Sequence, residues 1–191
     1  MYSLQTSVQI GQASFEIRNK GDFRMVLDCF NALHDTDLTE QERLYSALII
    51  FYEDFDIDKV LNIENINEFS KKMFWFFNQG EDDLQSNTQN IQVIDWNQDS
   101  NLICSAINTV ARQEIRALPY LHWWTFMGYY MAIGECALST IVSIRYKQAK
   151  GKKLEKYEKQ YISDNPQYFN RDYRTQEQKD ADEYVRKLWG E

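Results

Sequence analysis

Glycine and proline are scarce, with 7 Gly and 2 Pro among 191 residues, where average usage is roughly 7% and about 5%. Sandwiches and barrels consume both residues at every turn, so an all-β fold is disfavoured. No stretch approaches the ~18 consecutive apolar residues of a membrane-spanning helix, and no membrane association is expected. The opening MYSLQTSVQIGQASF lacks the basic segment and apolar run of a secretion signal. The 3 cysteines are an odd number without paired spacing, so Cys29, Cys104 and Cys136 read as reduced thiols in a cytosolic protein. Histidine is limited to His34 and His122, neither in an H-x-x-x-H or Cys/His spacing, so no metal site is expected. Asp54-Phe55-Asp56-Ile57-Asp58 begins like a calcium loop, but Lys59 and Asn65 stand where that loop needs Gly and Glu. The phosphate-cradling patterns G-x-x-x-x-G-K-[ST] and G-x-G-x-x-G are absent. No local nucleophile signature is present, so no catalytic residue and no cofactor are expected and the chain does not read as an enzyme.

What is present is apolar and aromatic: 43% of residues are hydrophobic and 15% are Phe, Trp or Tyr, enough to bury a core of ordinary size. The net charge of −8 is unevenly spread. Residues 1–144 hold 9 Lys/Arg against 20 Asp/Glu, and residues 145–191 hold 12 against 9. An acidic body repels phosphate, which disfavours nucleic acid as a partner. The run Arg145-Tyr146-Lys147-Gln148-Ala149-Lys150-Gly151-Lys152-Lys153 reads as a solvated helix end, because cations favour helix C-termini. Attraction between this basic end and the acidic body, within one chain or between copies, is a second reading.

Periodicity predicts a mainly α fold, a helical bundle with a small N-terminal β-hairpin. Val8 and Ile10, then Phe15 and Ile17, alternate with polar residues on either side of Gly11-Gln12-Ala13, the mark of a hairpin. Phe23, Val26, Leu27, Phe30 and Leu33 repeat at helical spacing over 22–34. Thr39-Glu40-Gln41-Glu42 is a capping box opening a helix to about residue 54. A third helix is expected over 64–79 with Gly80 as its stop. Residues 81–94 lack helical period and read as a polar linker or mobile loop. Helical spacing returns from Trp96 to Arg116, with Asp95 and Asp99 as N-capping acids. A helix over 120–133, begun by Pro119, is apolar around nearly its whole circumference and reads as the central buried helix. Another follows over 138–150. The segments 152–162 and 175–189 carry narrow apolar stripes, the latter after the capping box Thr175-Gln176-Glu177-Gln178. The expected organisation is residues 1–80 as hairpin plus three helices, 81–94 as linker, 95–151 as a C-terminal helical core and 152–191 as a charged helical tail.

Several segments together carry a resemblance. They are the hairpin, Asp22-Phe23-Arg24, the helix from Thr39 to Phe55, Phe76-Phe77-Asn78-Gln79-Gly80 and Asp95-Trp96-Asn97-Gln98-Asp99-Ser100. Most specific are Leu121-His122-Trp123-Trp124-Thr125-Phe126 and, further on, Ile141-Val142-Ser143-Ile144-Arg145. In this order, over roughly residues 5–165, the chain resembles small tail proteins of siphophages of Gram-positive hosts, encoded between the tail-tube and tape-measure genes. The resemblance implies a tail assembly chaperone of the host cytoplasm, absent from the mature virion. It would bind the tape-measure protein and help tail-tube protein polymerise around it, without enzymatic activity. Self-association is expected as well, since a repeated client favours a repeated coat.

Such a client is long, helical and prone to aggregate, and aromatic and Met side chains suit helix-in-groove contact with it. The candidate client-binding residues are Trp123, Trp124, Phe126, Met127, Tyr129 and Tyr130. Neighbouring residues on a helix point ~100° apart, so Trp123 and Trp124 cannot both point inward and at least one is expected at an edge. His122 reads as a packed residue donating one hydrogen bond. Two other functions fit the same sequence. One is a structural tail completion or connector protein retained in the virion, and the other is a nucleic-acid-binding regulator acting through residues 145–153.

Overall fold

Gly11 sets the first element. In the computed structural model, which describes residues 3–56, 63–81 and 93–169, strands β1 (Ser7–Ile10) and β2 (Ala13–Glu16) pair antiparallel, with Val8 opposite Phe15 and Ile10 opposite Ala13. Gly11 and Gln12 alone make the turn. Gly11 lies at φ +59, a positive φ at the first of two turn positions, which is where a type II′ turn places glycine. The alternation has its expected result: Val8 and Ile17 are buried, and Ile10 and Phe15 half-buried.

Seven α-helices follow among the described residues: α1 (Phe23–Leu33), α2 (Glu40–Phe51), α3 (Ile63–Phe77), α4 (Ser100–Ala111), α5 (Trp123–Met131), α6 (Ala137–Ala149) and α7 (Lys156–Asp164). The fold is mainly α with a small N-terminal hairpin, as the composition and periodicity predict. The chain forms two compact units. Unit 1 comprises residues 1–87 and 103–133, and unit 2 comprises residues 88–102 and 134–191. The expected linker falls largely, from 82 to 92, outside the described residues, as does the whole of the expected helix 175–189 with its capping box.

Local chemistry explains the boundaries. The capping box of α2 is formed: the Thr39 N–H donates to Glu42 Oε2 at 2.8 Å and the Glu42 N–H to Thr39 Oγ1 at 3.3 Å. This helix stops at Phe51, three residues earlier than expected, because Tyr52 turns extended and pairs with Ile17. The end of α2 is capped from a distance. Arg18 Nε donates to the Ile50 carbonyl at 3.0 Å, and Arg18 Nη2 to the carbonyls of Ile49, Tyr52 and Glu53 at 3.1, 2.8 and 2.9 Å. The carbonyls of Ile49, Ile50 and the C-cap Tyr52 are groups that a helix C-terminus leaves without donors. The start of α4 is Ser100 and not Trp96, because Asp95 Oδ1 accepts the N–H groups of Asn97 and Gln98, each at 2.9 Å, and holds a turn there.

Two expectations for the segment after Pro119 are corrected. The helix does not begin at that proline; residues through Leu121 are non-helical and His122 is the N-cap of α5. Nor is α5 buried all round. Trp123 and Phe126 are its buried residues, and Met131 is 73% exposed. The apolar composition of the helix hid a real inward side.

Candidate functional site

Three of the sequence segments singled out above meet in unit 1. Asp22 caps α1 by accepting the Arg24 backbone N–H at 3.0 Å, and its other oxygen accepts the Leu121 N–H at 2.8 Å. The Arg24 guanidinium bonds both Asp22 oxygens at 3.1 Å and the Leu118 carbonyl at 2.8 Å. The Phe23 N–H donates to the Leu121 carbonyl at 2.9 Å. The rings of Phe23 and Phe126 stack with centroids 4.6 Å apart. A carboxylate at a helix N-terminus faces the positive end of the helix dipole, so Asp22 is satisfied three times over.

His122 caps α5 in the same manner. Its Nδ1 accepts the Trp124 N–H at 3.0 Å. A ring nitrogen that accepts leaves the proton on the other, so Nε2 donates to the Gln5 carbonyl at 2.9 Å. The predicted donor is there, and the capping role comes in addition. Burial pulls the imidazole below its usual pKa of 6.5, against opposing pulls from the Gln5 carbonyl and Asp22. Gly21 packs against this ring and Phe76 at φ +77. A Cβ there would sit 2.6 Å from Phe76 Cζ and 3.1 Å from His122 Nε2.

The two tryptophans divide as the helix geometry requires. Trp123 is 1% exposed and its indole N–H donates to the Phe77 carbonyl at 2.9 Å. Trp124 is half-buried, and its indole donates to the Phe76 carbonyl, also at 2.9 Å. Both acceptors lie in the last turn of α3, so α5 caps α3 with two side chains. The chain leaves α3 through Gln79 and Gly80, both at positive φ, and the Gly80 N–H closes on the Trp75 carbonyl at 2.9 Å. A Cβ at Gly80 would lie 3.3 Å from both the Trp75 and Trp124 rings.

Of the six candidate residues, Trp123 and Phe126 lie inside unit 1. Positions 124, 127, 128 and 131 share one side of α5, being spaced i, i+3, i+4 and i+7, and this side borders the one that holds Trp123 and Phe126. Trp124 and Met127 are half-buried there, Gly128 is exposed with open space where a Cβ would stand, and Met131 is exposed. Tyr129 and Tyr130 are half-buried, Tyr130 on the side of Trp123 and Phe126 and Tyr129 away from the stripe. The sequence groups Met131 with the aromatic and Met residues of this span but does not single out Gly128 or Trp75. Their helical spacing from Trp124, or their place next to Gly80, is visible only once the inward side of α5 is known.

In unit 2 the segments around Asp99 and Arg145 meet. Arg145 Nη1 and Nη2 donate to the two Asp99 oxygens at 2.7 and 3.0 Å, and both side chains are fully buried. Arg145 also donates to the carbonyls of Val93 at 3.0 Å and Tyr168 at 2.9 Å. Asp99, which stands directly before α4 and also accepts the Asp95 N–H at 3.0 Å, is in addition the buried partner of an arginine. One expectation is corrected: Arg145 takes no part in the exposed basic run. Beside the pair, Ile141, Ile144 and Phe169 form a small apolar cluster with Leu102, Leu154, Tyr161, Ile162 and Tyr168 around it.

Among the described residues no group of three or more His, Cys, Asp or Glu is placed to hold a metal ion. No helix among them is long and apolar enough to cross a membrane. The arrangement is one of interlocked helix caps and an apolar outer stripe. Residues 2–169 match the protein family described as Bacteriophage Gp15 protein. No curated protein and no solved structure matches the chain.

Proposed function

The chain belongs to the Bacteriophage Gp15 protein family, and from that premise we propose that it is a tail assembly chaperone. It binds the tape-measure protein in the host cytoplasm, promotes assembly of tail-tube protein around it, and does so without covalent chemistry. One observation carries the reading: the outer stripe of α5, where Trp124, Met127 and Met131 surround the bare backbone of Gly128. Tyr129 and Tyr130 are half-buried elsewhere on the helix, while the buried Trp123 and Phe126 anchor it. Thioether and indole groups adapt to irregular apolar partners. A glycine inside a helix costs about 1 kcal/mol relative to alanine, and here nothing among the described residues lies within 4 Å of where its Cβ would stand. A client helix lying across Gly128 would use that space.

The test is co-expression with a tape-measure fragment, reading how much fragment stays soluble and co-purifies. Gly128→Ala should raise the stability of unit 1 by up to about 1 kcal/mol while lowering co-purification. Met127→Ser with Met131→Ser should lower it further at an unchanged melting temperature. Undiminished co-purification in all three would remove α5 as the contact surface. Mass spectrometry of purified virions separates the chaperone from a tail completion or connector protein, which would be present there in fixed copies.

A further inference from the structure

We propose that the corner between α6 and α7 of one molecule docks on the corner between α1 and α2 of a second copy. This goes beyond the chaperone reading and does not rest on it.

The basic corner is built in unit 2. Lys147 Nζ pairs with Glu158 at 2.6 Å, joining the end of α6 to the first turn of α7. That contact consumes both charges, since Glu158 is 2% exposed and its other oxygen accepts the Glu155 N–H at 2.8 Å. Beyond it the chain turns at Gly151, at φ +62, and the Lys152 N–H closes back on the Lys147 carbonyl at 2.8 Å. The turn brings Lys150 and Lys152 to the ring of Tyr146, with their Nζ atoms 5.9 and 5.5 Å from its centroid. Tyr146 is 44% exposed, and Tyr157, whose hydroxyl lies 3.4 Å from Glu158, is 67% exposed. Lys150, Lys152, Lys153 and Lys156 are exposed and form no ion pair among the described residues. The corner therefore gathers four ammonium groups without ion pairs, with one exposed carboxylate, Glu155, among them, around two part-exposed aromatic rings.

The acidic corner is its complement. The α1–α2 connection and the first turn of α2 hold Asp35, Asp37, Glu40 and Glu42, all exposed, against the half-buried Arg43, whose Nε is tied to the Leu38 carbonyl at 2.9 Å. The last turn of α1 has no basic residue and the first turn of α2 has two acids. Unit 1 as a whole holds 9 Lys/Arg against 17 Asp/Glu. A second copy presents the matching charge by construction. Because the two surfaces differ, the contact is head-to-tail and repeats from copy to copy as a ring or a row. Exposed ion pairs are individually weak and are screened by salt, so the contact is reversible and sensitive to ionic strength.

Sedimentation velocity of the full-length protein tests this. In low salt the sedimentation coefficient should rise with concentration, and in high salt it should return to the single-chain value. Lys150→Glu with Lys152→Glu, and separately Asp37→Lys with Glu40→Lys, should each abolish the rise while keeping the helical circular dichroism and melting temperature. Mixing the two variants should restore association, because each then supplies the charge the other lacks. A wild-type protein that stays single at all concentrations in low salt overturns the proposal. So does association that survives high salt, or a mixture that fails to associate. Lysine-dependent binding of a labelled single-stranded oligonucleotide, without self-association, overturns it in favour of nucleic acid. Co-purification of the tape-measure fragment is read separately, so loss of one result leaves the other standing.

Discussion

The two units solve the problem of holding short helices together in opposite ways. Unit 1 has an aromatic interior: Phe23, Phe51, Phe76, Trp123 and Phe126 are buried, with rings stacked or edge to face. Its helix ends are capped by side chains from distant sequence, Arg18 for α2 and the paired tryptophans for α3. Unit 2 buries charge instead. Arg145 and Asp99 are fully enclosed, and among the described residues a small apolar cluster stands beside them. Apolar burial is non-directional and is shared among many contacts. A buried ion pair is directional and concentrates its consequence in two residues. Unit 1 should therefore lose stability in increments, and unit 2 all at once.

The sharpest way to break this comparison is Arg145→Met. Removing one partner strands a buried carboxylate, at a cost of about 3–5 kcal/mol. Hydrogen exchange should show α6 and α7 losing protection while α1, α2 and α3 keep theirs. Adding Asp99→Leu should recover much of the loss, since an apolar pair of similar volume is tolerated. Next in size is Gly21→Ala in unit 1. The added methyl meets Phe76 at 2.6 Å and φ is +77, so about 1–3 kcal/mol should be lost, measured as a lower midpoint in urea with unit 2 unaffected.

The smallest effect is a pH dependence confined to unit 1. His122 has its folded pKa below the usual 6.5, chiefly through burial. Below about that pH the unfolded chain takes up a proton that the folded chain resists, so stability is full above it and falls as the solution is acidified through the folded pKa. His122→Asn, which keeps an acceptor at the N-cap, should flatten that dependence in denaturation midpoints taken across pH.

The same contrast explains what the sequence disclosed. The capping box at Thr39 and Glu42, the turn at Gly11 and the stop at Gly80 are written within a few residues of each other, and each is found where local pattern places it. The inward side of α5 was not legible, because a helix apolar on every side has no pattern to betray which residues face the core. The pairing of Asp99 with Arg145 spans 46 residues, and nothing local to either distinguishes a buried partner from a surface charge. Both lay in segments that carried the family resemblance, as did Asp22 and Leu121, but the resemblance marked them without saying that they touch. The outer stripe on α5 was half-read: Trp124, Met127 and Met131 were named, while the open space at Gly128 follows only from the helix's orientation.

Unit 1 is discontinuous along the chain, and this has a consequence in time. As the polypeptide leaves the ribosome, α1, α2 and α3 emerge well before Trp123 and Trp124, so the last carbonyls of α3 wait for donors from far downstream. Asp22 likewise waits for the Leu121 N–H. The N-terminal half cannot lock until about residue 133 is synthesised, which makes completion of the aromatic unit a late event of translation and leaves any earlier truncation with open helix ends.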